Sequence, residues 1–168
     1  ISFDTYCVWN RHNAEHLKRG YPESREKEIH IVGSPQFDFY WNSRYLWSEQ
    51  EWRRALRLPQ GRPVILFGGG YYSCAPHEPQ FLRHLDEAIS RRELPGDPMI
   101  LFRRHPVDPI GRWEGILRDA RNVVHDDPWE LRSQILGHTN VTHDDIAKLT
   151  STLEHTVAHV NVASTMTV

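Results

Sequence analysis

PVILFGGG, residues 63–70, carries the clearest sign of how this chain folds. Residues 63–67 are a continuous apolar run of buried-strand length, and they pass directly into Gly68, Gly69 and Gly70. A strand that is apolar on both faces belongs in a sheet covered on both faces, which is the habit of parallel sheets. The pattern then repeats. Phe81, Leu82, Leu85, Ala88 and Ile89 recur at helical spacing, and PMILF at 98–102 is a second buried strand running into Arg103, Arg104, His105 and Pro106. Two such strands separated by a helix form a crossover, the connection that parallel neighbours require.

Working outward, the same alternation continues to both ends. Downstream, Trp113, Ile116 and Leu117 mark a short helix, NVVH at 122–125 a short strand, and Leu131 with Ile135 a brief helical piece. Thr142 or Asp144 caps a helix carrying Ile146, Leu149 and Leu153. AHVNVA at 158–163 is the last strand, and Ser164 and Thr165 stand where its helix should begin. Upstream, Ser48 with Glu51 three residues later forms a capping box for a helix that carries Trp52, Ala55 and Leu56 and ends before Pro59. The segment QFDFYWNSRYLW, 36–47, is too apolar for a free linker and is expected to pack across a domain junction. Before it come a strand in EIHIVG at 28–33, a helix from Asn10 to Arg19 and a strand in DTYCVW at 4–9. The expected fold class is therefore α/β, a Rossmann-like, mostly parallel sheet with helices on both faces.

Composition narrows the function. The chain has 168 residues, 39% hydrophobic and 25% charged, a formal net charge of -2 and a mean hydropathy of -0.61. These values describe a globular domain without a membrane-length apolar run, and they lack the basic excess of a general nucleic-acid binder. We therefore expect no nucleic-acid partner, and any anion site must be local. Cys7 and Cys74 make neither a disulfide framework nor a zinc spacing, so a reducing, cytoplasmic setting and two small apolar side chains are expected. Eleven histidines are present, yet none has the H-E-x-x-H arrangement, and His12 with His16 shares a helix face with no carboxylate pattern to complete a metal site. No metal and no resident cofactor are expected. The six tryptophans, Trp9, Trp41, Trp47, Trp52, Trp113 and Trp129, are expected as core and junction anchors. Ile1 in place of Met, and a pattern that stops at Val168 as a helix begins, suggest a piece of a longer protein.

Chemistry is sought where each strand ends, because ligands of doubly wound sheets bind beyond the carboxyl ends of the strands. Gly68, Gly69 and Gly70 lack a Cβ and would let backbone amides approach a phosphate, or they are a plain tight turn. Arg103, Arg104, His105, Pro106 and Asp108 follow the next strand. The arginines suit bidentate phosphate contacts, or they are simply solvated. Ala163, Ser164 and Thr165 sit at a strand-to-helix turn whose amides attract anions, although an ordinary cap explains the hydroxyls too. Asp144 and Asp145 either cap their helix or meet a ribose or base. Three anion-friendly turns on one rim could close around a single diphosphate.

Taken in chain order, VWN (8–10), VGSPQFD (32–38), PVILFGGG (63–70), RRHPVD (103–108), HDDIAKL (143–149) and NVASTMTV (161–168) resemble the GT-B glycosyltransferases, in particular the branch of CDP-glycerol glycerophosphotransferases and bacterial capsule or surface-polysaccharide enzymes. The resemblance implies two Rossmann-like domains facing a cleft. Residues 1–32 would close the acceptor-side domain, 33–47 would cross between domains, and 48–168 would be the donor-binding domain, truncated. It also implies that Gly68, Gly69 and Gly70 line the donor cleft, that His105 and Arg103 meet the donor phosphates, that Asp145 belongs to the donor site, and that Ser164 with Thr165 cradles the pyrophosphate. The donor would be a nucleotide-diphosphate-linked substrate and the acceptor a polysaccharide or a lipid-linked chain. The setting would be cytoplasmic, with peripheral association at the inner membrane face through regions outside this chain. The sequence departs from the pattern by stopping before the acidic residue that usually follows the Ser-Thr turn. Within the same fold a nucleotide-sugar epimerase is an alternative, and a non-catalytic binding or assembly module using the aromatic segment is another.

Overall fold

The computed structural model describes residues 3–127 and 141–162. It divides into two compact units, Ile1–Asn42 and Ser43–Val168.

The first unit is a strand-helix-strand element. β1 (Thr5–Val8) and β2 (Glu28–Ile31) pair in parallel, with Thr5 opposite Glu28 and Val8 opposite Ile31. α1 (Arg11–Gly20) connects them. Its first turn is held by the Asn10 side chain, which accepts from the Asn13 amide at 2.9 Å. The 3-10 turn after it is tied back by the fully buried Ser24, whose hydroxyl donates to the carbonyls of Tyr21 (2.7 Å) and Leu17 (3.2 Å). Gly33, at φ 71°, turns the chain out of β2 in a conformation that favours glycine. Two expectations change here. Trp9 and Trp41 are 61% and 90% exposed, so neither is a core anchor, and Cys7 is exposed rather than packed.

The second unit is the parallel α/β domain. Its strands are β3 (Val64–Gly68), β4 (Met99–Arg103), β5 (Val123–Asp126) and β6 (Ala158–Asn161), in spatial order β5-β4-β3-β6, all parallel. Its helices are α2 (Glu49–Ala55), α3 (Glu78–Ser90), α4 (Glu114–Asp119) and α5 (His143–His155). Side chains of a strand alternate between faces, and the core divides accordingly. Phe67, Ile100, Phe102 and Val123 pack with Leu82 and Ile89 of α3 and with Trp113 and Ile116. Val64, Leu66, Leu101 and Val124 pack on the other face with Trp52, Leu56 and Leu153. Covering both faces is what makes every residue of β3 and β4 buried.

The local signals act as expected at the helix starts. Ser48 and Glu51 form the capping box of α2, with the Ser48 amide donating to Glu51 at 2.9 Å and the Glu51 amide to the Ser48 hydroxyl at 3.3 Å. That pairing also lowers the Glu51 carboxyl below its ordinary range, chiefly through the Ser48 hydrogen bonds. Thr142, not Asp144, caps α5. β3 extends one residue further than the apolar run, so Gly68 is a strand residue and not part of a loop. The helical piece expected near Leu131 and Ile135, and Trp129, lie outside the described residues.

Candidate functional site at the carboxyl rim

The sheet order sets where a ligand can enter. From β3 the chain crosses to β4 on one side and on to β5, then returns to place β6 on the opposite side of β3. The strand order therefore reverses between β3 and β6, and the crevice of an open α/β sheet lies at such a switch point. Register fixes the rim: Gly68 stands opposite Arg103 and Asn161, and Arg103 opposite Asp126. The ends of all four strands thus form one row. Of the residues expected to share a rim, the structure brings together Gly68, Gly69, Gly70, Arg103 and His105, while Ser164 and Thr165 lie outside the described residues.

The glycine turn does not work as an open amide cradle. The Gly69 amide donates to the Arg103 carbonyl at 2.8 Å, and the Gly70 amide donates to both carboxylate oxygens of Glu78 at 2.9 Å. Gly69 is glycine for packing, since a Cβ there would stand 3.3 Å from Phe102 and 3.4 Å from Trp113. The turn can thus present close backbone to a ligand, but two of its amides are already spent inside the chain. Tyr71 and Tyr72 follow it as partly exposed rings 4.7 Å apart, and Tyr71 meets the His105 ring at 5.8 Å. The hydrogen bond with Tyr72 pushes the Tyr71 phenol above its ordinary range. Cys74, in the same turn, is exposed rather than a packed apolar residue.

Beyond β4 the cations separate into distinct places. Arg103 is 1% exposed and lies on the α2–α5 side of the sheet, its guanidinium 3.8 Å from Asp126. Asp126 is shared with Lys148 of α5 at 2.9 Å, so one buried and one partly buried cation gather around one carboxylate directly behind the rim. Arg104 is taken up by Asp127 at 2.8 Å and by the Asp108 carbonyl. His105 is the half-exposed member. The Val107 amide approaches its Nδ1 at 3.4 Å, which makes Nδ1 the acceptor and leaves Nε2 to carry the proton of the neutral ring. Asp145 takes the Thr142 amide and hydroxyl at 2.8 Å each, which engages it in the cap that sequence already offered as one of its two roles.

A buried ionic cluster, which sequence reasoning does not find, lies beneath these loops. Glu78 and Asp108 are both 0% exposed. Arg112 bridges them, 2.9 Å from Asp108 and 3.5 Å from Glu78, and also donates to the Ala75 carbonyl. The Trp113 indole N–H completes Asp108 at 2.6 Å. Desolvation pushes the Glu78 carboxyl above its ordinary range, opposed by the Gly70 amide and Arg112. A raised folded-state pKa contributes stability below the unfolded carboxylate range that is lost as pH rises through the folded value. We therefore expect the unfolding free energy of wild type, measured against Glu78→Gln, to fall as pH rises above the unfolded glutamate value of about 4.3. A difference that is flat with pH would contradict the assignment. The sequence signal was faint: an acidic residue in the first turn of a helix looks like an ordinary dipole contact.

Among the described residues no group of three or more His, Cys, Asp or Glu is placed to hold a metal ion, and no helix is long and apolar enough to cross a membrane. Fold and rim together define a parallel Rossmann-like α/β domain whose strand ends gather cationic and aromatic side chains at a switch point. Residues 2–127 match the family described as CDP-Glycerol:Poly(glycerophosphate) glycerophosphotransferase. The match covers most of the chain, and the chain belongs to this family of glycerophosphotransferases. A comparison with curated proteins found no match.

Proposed function

We propose that this chain supplies the donor-binding side of a glycerophosphotransferase that takes a CDP-linked glycerol donor and extends a poly(glycerophosphate) acceptor. The observation that carries the reading is the common rim formed by Gly68, Arg103 and Asn161 at the switch point, in a chain of this family. In the reaction an acceptor hydroxyl oxygen bonds to the glycerol-bearing phosphorus. The anhydride bond to the cytidylyl phosphate breaks, CMP leaves with the electron pair, and the hydroxyl proton passes to a base on the acceptor side.

The chain's own residues would act on the leaving group. His105 offers Nε2–H to the diphosphate, and the buried Arg103 and the partly buried Lys148 add positive potential from behind. Fixed donors of this kind stabilise developing negative charge without reorganising. Arg103 contributes through its field more than by contact, because its guanidinium is buried beside Asp126.

Calorimetric titration of the full-length protein with CDP-glycerol, CDP and other nucleoside diphosphates tests this. Saturable CDP binding is expected, weakened about tenfold or more by His105→Ala, the scale of a charge-assisted hydrogen bond. Ser164→Ala is expected to weaken it as well. Affinity unchanged in both variants would remove the assigned site.

A further inference from the structure

We propose that Glu78 is a positioning residue for the donor site: from beneath the glycine turn, and through Arg112 and Asp108, it sets where the 104–108 loop carrying His105 stands. The inference rests on the donor reading above, but its geometry is independent of any ligand.

The chain of contacts is continuous and joins loops that are distant in sequence. Glu78, in the first turn of α3, grips the Gly70 amide with both oxygens at 2.9 Å, which fixes the turn after β3. Its other partner is Arg112, whose fork also holds Asp108 through two contacts of 2.9 and 3.0 Å. Asp108 in turn donates its amide to the His105 carbonyl at 3.0 Å, and its own carbonyl accepts from Arg104. Arg104 continues to Asp127, and the Asp127 carbonyl accepts from Lys148 at 3.1 Å. The turns after β3, β4 and β5 are thereby linked by side chains and not only by the sheet.

A stability role alone explains this arrangement poorly. Burial disfavours the ionised Glu78, so the charge that binds Arg112 is held against a desolvation cost. What the charge does achieve is geometric, because a planar guanidinium between two carboxylates fixes the distance between their loops. Sites gain precision when the residues behind the contacting groups are themselves locked.

The test uses Glu78→Gln in the full-length protein, a substitution that keeps an acceptor for Gly70 and removes the charge facing Arg112. Arg112→Met breaks the same link from the other side and serves if the first variant folds poorly. Hydrogen exchange is expected to quicken at 104–108 as well as near Gly70. The Kd for CDP should rise about 2- to 30-fold, the range of coupling through such networks. In a double-mutant cycle, His105→Ala combined with Glu78→Gln should be no weaker than His105→Ala alone, because the effect runs through His105. Exchange changes confined to 70–78, wild-type CDP affinity, or additive losses would each overturn the proposal. If the wild-type protein takes no CDP, the donor reading fails by itself, and exchange at 104–108 still decides whether the loops are coupled.

Discussion

Asp108→Ala is expected to destabilise the Ser43–Val168 unit by about 3–5 kcal/mol, the cost of removing one partner from a buried ion pair. The carboxylate is fully buried and accepts from two donors, one Arg112 nitrogen that reaches both oxygens and the Trp113 indole at 2.6 Å. Alanine would leave the indole N–H without an acceptor and would leave Arg112 facing Glu78 alone. Trp113 is itself 0% exposed and packs 4.3 Å from Phe102, so no water reaches the orphaned group easily. Asp108→Asn keeps an acceptor for the indole and should lose clearly less. Denaturant unfolding of the two variants measures the difference, and a loss under about 1 kcal/mol in the alanine variant would show that the cluster relaxes or hydrates.

Trp52→Ala carries a comparable expectation on the opposite face of the sheet, about 3–5 kcal/mol for removing a fully buried aromatic side chain. Trp52 is 0% exposed, fills the space among Leu56, Val64, Leu66 and Leu101, and donates its indole N–H to Thr152 at 3.0 Å. Its ring also lies 5.5 Å from His155, which holds the Trp47 carbonyl at 2.8 Å. The residue therefore joins α2 to α5 as well as to the sheet. Trp52→Phe retains most of the volume and should recover much of the loss. A small effect of the alanine variant in thermal or denaturant unfolding would mean that α2 contributes little to the fold.

Much of the architecture was legible because its signals are local. PVILF and PMILF could be read as buried strands since five apolar residues in a row suit only a doubly covered strand. Ser48 with Glu51 marked a helix start because both halves of the capping box lie within four residues. The strand that ends in Gly68 shows the limit of such signals, because a glycine gives no propensity cue and pairing with Arg103 and Asn161 decided that it belongs to the sheet. Trp9 and Trp41 show another limit: their size argued for burial, while their surroundings within the Ile1–Asn42 unit leave them exposed.

The candidate site was legible in outline and not in its interior. RRHP after a buried strand marked the rim, and the register places Arg103 beside Gly68. Sequence treated the arginines and the histidine as one cationic group, whereas folding sends Arg103 inward to Asp126, ties Arg104 to Asp127, and leaves His105 half-exposed. The glycines were read as sources of free amides, and the fold uses the amides of Gly69 and Gly70 itself.

The alternation of strands and helices, the start of most of those elements and the strand ends that carry charge can all be read along the chain. Period, capping and turn chemistry act between residues close along the chain, so they can be read there. The strand order β5-β4-β3-β6, the division of the cations, and the gathering of the buried Glu78 and Asp108 around Arg112 came from long-range packing. Those outcomes depend on which distant segments meet and how completely they exclude water, and neither quantity is written in the spacing of residues along one chain.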